Sequence, residues 1–106
     1  MLITTQDQIS EYNISETLGL VKGNTIRARH VGKDIMAGLR TIIGGEITEY
    51  TKMLAEFREQ AFDRMVAQAD ELGANGIVCV RYTTSSVLAG SAELLAYGTA
   101  VKLNKK

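Results

Sequence analysis

The clearest pattern in the chain lies between Glu46 and Leu72, where Ile47, Tyr50, Leu54, Phe57, Ala61, Met65, Ala69 and Leu72 recur at intervals of three and four. That spacing marks one face of an α-helix. Met53, Phe62 and Val66 flank the line. At about 100° per residue the apolar stripe is wider than one core contact needs, so it touches two surfaces. Gly73 follows as the glycine expected just past a helix C-terminus. Upstream, Ile35, Met36, Leu39, Ile42 and Ile43 predict a short amphipathic helix from Lys33 to Ile43.

The remaining apolar runs read as strands. MLITT opens the chain as a short strand, and QDQISEYN follows as a polar connector. ETLGLVKGNTIRARHV then offers two readings, a hairpin turning at Gly23–Asn24 or one long strand bent by a bulge. The long strand is favoured, because Gly19 and Gly23 both suit bending. Gly76–Thr84 is a nearly continuous apolar strand, SSVLAGSA a turn or loop, and Ala92–Leu103 a strand apolar on both faces. A two-sided apolar strand needs cover on both sides or a central place in its sheet.

At 106 residues the chain is one domain, 1–106, long enough to fold without metal or disulfide staples. Twelve basic residues balance twelve acidic ones. That balance gives no footprint for nucleic acid or an anionic membrane. Aromatics are sparse, and Phe57 and Phe62 belong to the helix pattern, which leaves little for base stacking. Cys79 is the single cysteine, no stretch reaches the ~18 apolar residues of a membrane span, and the N-terminus lacks the basic-then-apolar order of a signal peptide. A cytoplasmic location is expected.

Candidate chemistry is thin. Gly44–Gly45 follows a helix and precedes Glu46, Ile47 and Thr48, with no Lys-Ser/Thr pair as a phosphate loop requires. Glu46 and Glu49 already place negative charge in the first turn of the next helix, so an anion is repelled. The pair reads as a hinge. His30 and Cys79 are far apart, each without a neighbouring ligand, and Met36, Met53 and Met65 fall on apolar faces as core filler. Cys79, between Val78 and Val80, reads as a core thiol rather than a nucleophile, and Ser85–Ser86 has no nearby histidine. Catalytic residues, cofactors and a metal site within one subunit are therefore not expected. Arg58 is the exception to the bland pattern. It projects at the angle of Met65 and Ala69, inside the apolar stripe. Either it lies along the surface with its head in water, or its guanidinium meets a carboxylate at a subunit contact or in a pocket. Glu93, the only charge in its strand before Lys102, is the candidate partner.

The segment from Gly32 to Ser85 and the run AELLAYGTAVKL strongly resemble the YbjQ-like family of small uncharacterised bacterial proteins. The family's hallmarks stand at Gly44–Glu46, Leu72–Asn75 and Ala96–Val101, and the match covers nearly the whole chain. The resemblance implies a two-layer α+β subunit assembling into a pentameric ring. It brings a heavy-metal-binding label but no established activity. Many relatives have glycine at the position of Cys79, so that thiol is not a ligand the family supplies. The residues and the resemblance agree on an α+β fold: long strand, helix and two strands in an antiparallel sheet. One long helix packs on that sheet, and the AYGTAV strand lies between the two parallel ones. The expected protein is a non-enzymatic homo-oligomer, a pentamer by resemblance, binding a small ligand or partner in the ring or between subunits. The alternative is a soft-metal binder using ring copies of His30 or Cys79. Arg58 is expected to be paired at the subunit contact, with Glu93.

Overall fold

The computed structural model describes residues 1–27, 48–88 and 91–106. The helix expected over 33–43, His30 and the Gly44–Gly45 hinge lie outside the described residues. Five elements follow in order: β1 (Leu2–Ile3), β2 (Tyr12–Arg27), α1 (Thr48–Glu71), β3 (Gly76–Leu88) and β4 (Ser91–Lys105). The fold is α+β, with one helix packed on a four-stranded sheet of order β1-β3-β4-β2. β4 lies between β3 and β2 and is antiparallel to both, where its two-sided apolar character places it. The sheet is mixed rather than purely antiparallel, because β1 runs parallel to β3 through Leu2–Gly76 and Ile3–Ile77.

β2 is the single long strand. Gly23 and Asn24 do not turn; they sit in the ladder opposite Ala96 and Leu95. The two glycines have different jobs. Gly19 carries φ +127 beside a register shift against β4, so it makes the bulge. Gly23 does not bend the strand. A Cβ there would overlap the Ala61 carbonyl oxygen and the Met65 amide nitrogen, so its missing side chain lets α1 lie directly on the β2 backbone.

The strands outrun their apolar stretches. β2 begins at Tyr12, inside the expected connector, because Tyr12, Asn13 and Ile14 pair with Lys105, Asn104 and Leu103. β3 continues through Ser85 and Ser86, which pair with Glu93 and Ala92, where a loop was expected. Backbone ladders satisfy N–H and C=O groups whatever the side chain, so polar residues extend a strand once a partner is present.

α1 ends as predicted, and the geometry is a Schellman cap. Gly73, at φ +80, donates its N–H to the Asp70 carbonyl at 2.9 Å, and the Ala74 N–H reaches the Ala69 carbonyl at 3.1 Å. Asn75 then ties this turn to β4. Its Oδ1 accepts from the Leu103 N–H at 2.7 Å, and its Nδ2 donates to the Leu103 carbonyl at 3.0 Å.

Between helix and sheet, Val21, Ala61, Met65, Ala69, Ile77, Ala96 and Ala100 are fully buried. Alternation along the strands places Val78, Val101 and Leu103 on the other face, where Ile9, Tyr12 and Cys79 pack against them. We expect Gly23→Ala to cost on the order of 2 kcal/mol, read as a lower urea midpoint, because the helix must lift off the strand. An unchanged midpoint would show that the close approach is not needed.

Candidate functional site

α1 is anchored to the edge of β2 by its own side chains. The Lys22 N–H donates to Gln68 Oε1 at 2.7 Å, and Arg64 Nη1 donates to the Asn24 carbonyl. The buried Thr25 hydroxyl donates to the Phe57 carbonyl at 3.0 Å. These contacts fix the middle of the helix and occupy part of an otherwise open strand edge. Toward its N-terminal end the helix stands off the sheet and leaves a pocket of about 200 Å³. Leu54, Phe57 and Arg58 form the helix side; Thr84 of β3 and Ala92–Leu94 of β4 form the sheet side.

Arg58 and Glu93 thus border the same pocket, and Arg58 is exposed. They do not pair within the chain. Glu93 stands opposite Ile26 in the ladder, and Ile26 lies on the face away from the helix. There Glu93 Oε2 accepts from Asn24 Nδ2 at 3.1 Å. Arg58 has no hydrogen bond or ion pair among the described residues. Beside it on the helix face, burial first and then the Glu59 carboxylate hold the Tyr82 phenol above its usual 10.0, and the Arg58 charge opposes them.

Cys79 does not sit in regular strand. It carries φ +56 in a bulge where β3 slips against β4 between Val78 and Arg81. Its N–H donates to the Gln6 carbonyl at 2.9 Å, and the Val80 N–H donates to the Thr4 carbonyl at 3.1 Å. The thiol is free and half-buried, more exposed than the core position expected of it. Among the described residues no three His, Cys, Asp or Glu side chains converge as a metal would need. No described helix is long and apolar enough to cross a membrane.

A second depression, of about 560 Å³, is walled by the connector and the C-terminal residue, including Gln8, Ser10, Asn13 and Lys106. Nothing in the sequence marks it, because the connector is polar without a pattern. Glu11, at φ 68, marks the tight turn beside it. The Lys106 N–H closes that turn on the Glu11 carbonyl at 2.8 Å.

A family model described as "Putative heavy-metal-binding" matches residues 1–104, and the chain belongs to that YbjQ-like family. A UPF0145 protein of Methanococcus vannielii is 59% identical over 99% of this chain and 100% of its own. One from Archaeoglobus fulgidus is 56% identical over 97% of this chain and 95% of its own. Another, from Dehalococcoides mccartyi, is 57% identical over 95% and 97%. A crystal structure of a DUF74-family protein of unknown function from Pediococcus pentosaceus superposes with a TM-score of 0.60. It covers 98% of both chains at 20% identity, a likeness of fold alone.

The bulge gives a physical reason for glycine to suit position 79. We expect Cys79→Val to lose at least about 1 kcal/mol, since a β-branched residue is strained at positive φ, while Cys79→Gly melts at or above the wild-type temperature. In regular strand valine would be the favoured residue. A valine variant as stable as wild type would remove the bulge from the account.

Proposed function

We propose that the protein is a non-enzymatic, cytoplasmic homo-oligomer that binds a small ligand or partner, with five subunits in a ring as the family resemblance implies. One observation carries the assembly. On the sheet face away from α1, Leu20 is 67% and Ile26 60% exposed. Leu95 and Tyr97, opposite Asn24 and Lys22 on the same face, are half-buried between them. Soluble monomers rarely leave a contiguous apolar strip of this kind in water. The chain is also drawn out, with a Cα radius of gyration of 17.2 Å against roughly 13 Å for a compact domain of this length. A long, thin subunit buries little of its own surface, and a neighbour covers the rest. Closed head-to-tail contacts between different surfaces of identical subunits give a ring.

Light scattering on the eluting protein tests this. The expected mass is a multiple of 11.5 kDa, fivefold by resemblance. Leu20→Asp should shift it toward the monomer, because a carboxylate has no partner at an apolar contact. An 11.5 kDa wild-type species at micromolar concentration would sink the assembly.

The second reading, a soft-metal binder using symmetry-related copies of one residue, is supported by the family's description and by the free, half-buried thiol of Cys79. Among the described residues no cluster of metal ligands forms within one chain, which favours the first reading. Elemental analysis of protein purified without chelator is therefore expected to find no stoichiometric zinc or copper. About one metal per subunit, lost in His30→Ala or Cys79→Ala, would reverse the order of the two readings.

A further inference from the structure

We propose that the pocket between α1 and the β3–β4 end binds a small monocarboxylic acid with an apolar body, held by Arg58; this rests on the small-ligand reading above and names the ligand class. The walls are apolar where the ligand's body would lie, with Leu54 and Phe57 on one side and Leu94 on the other. Arg58 is the only cation among the described residues of the lining. A planar guanidinium takes a carboxylate through two parallel N–H···O bonds. Among the described residues of the lining the one carboxylate is turned away, since Glu93 is held by Asn24 on the opposite face of the sheet. One positive charge, with no second cation among the described lining residues, suits a singly charged anion better than a phosphate, which gathers several donors.

The volume sets the size. About 200 Å³ is below the range of drug-sized pockets and equals the room of roughly seven waters. A body of about five to nine carbons fills it. Burial of the chain against Leu54, Phe57 and Leu94 supplies affinity, and the arginine supplies the choice of head group. An alcohol or amine of the same length keeps the apolar contact. The alcohol loses the ion pair, and the amine brings like charges together.

Hexanoate is the probe, followed by amide chemical-shift titration of the whole protein, with 1-hexanol and hexylamine in parallel. The expected result is saturable shifts at residues 54–58 and 92–94, with at least tenfold weaker binding for either control. Arg58→Gln should weaken hexanoate at least tenfold while light scattering shows the wild-type mass. Leu94→Trp, which fills the pocket from the sheet side, should abolish the shifts with the circular dichroism spectrum kept. Equal binding of hexanoate and hexylamine, or Arg58→Gln binding as wild type, would overturn the proposal. So would an Arg58→Gln variant that loses its assembled mass, because the guanidinium then serves a subunit contact. An intact wild-type assembly with no hexanoate shifts would sink the pocket assignment alone and leave the oligomer standing.

Discussion

The rest of the fold is arranged around the place where α1 touches β2 without an intervening side chain. At Gly23 the helix backbone at Ala61 and Met65 comes so near the strand that no Cβ fits. Two peptide backbones that close must have their polar groups matched. The Lys22 amide goes to Gln68, the Asn24 carbonyl to Arg64 and the Thr25 hydroxyl to the Phe57 carbonyl. Small residues then follow of necessity. Ala61 and Ala69 on the helix, and Ala96, Gly98 and Ala100 on β4, are all buried, because larger side chains would pry the layers apart. Gly98 is hemmed in by Ile77, Val78 and Val80, so the tightness carries across the sheet.

That contact also decides where the fold is open. A straight helix over a twisted sheet can be close at only one level. Pinned at Gly23, α1 stands away from β3 and β4 near its N-terminal half, and the Arg58 pocket is the result. Among the described residues the same layer arrangement leaves the far face covered at one end, where Ile9 and Tyr12 fold over Val101 and Leu103. Leu20 and Ile26 lie beyond that cover. Pocket and apolar strip are therefore two consequences of one packing choice, on opposite faces of the sheet.

The family description and the residues press in different directions. Membership is plain from identities of 56–59% along almost the full length. A heavy-metal label would lead one to look for converging thiols and imidazoles, yet among the described residues Cys79 joins no such cluster and lies in a bulge whose backbone favours glycine. The chemistry that the described residues bring together is different: an arginine with no ion pair among them, an apolar cleft, and a carboxylate turned to the other side.

Much of this was legible before any coordinates. The three-and-four spacing from Leu54 to Ala69, the glycine at 73 and the two-sided apolar run through Ala96–Val101 determined a long helix, its end and a central strand. Local periodicity and capping carry those signals within a few residues of chain. The strand limits were not legible, since Ser85, Ser86 and Asn13 join the ladder through backbone groups that look alike in every residue. Nor was the division of labour between Gly19 and Gly23, because a positive φ and a close helix both ask for glycine. Arg58 shows the limit most clearly. Its helical angle is that of buried Met65, but its exposure depends on where the sheet twists away beneath it. Its separation from Glu93 depends on which face of β4 each residue meets. Angle and alternation are properties of the sequence; distance between layers and the register that sets opposing faces arise only when the chain packs.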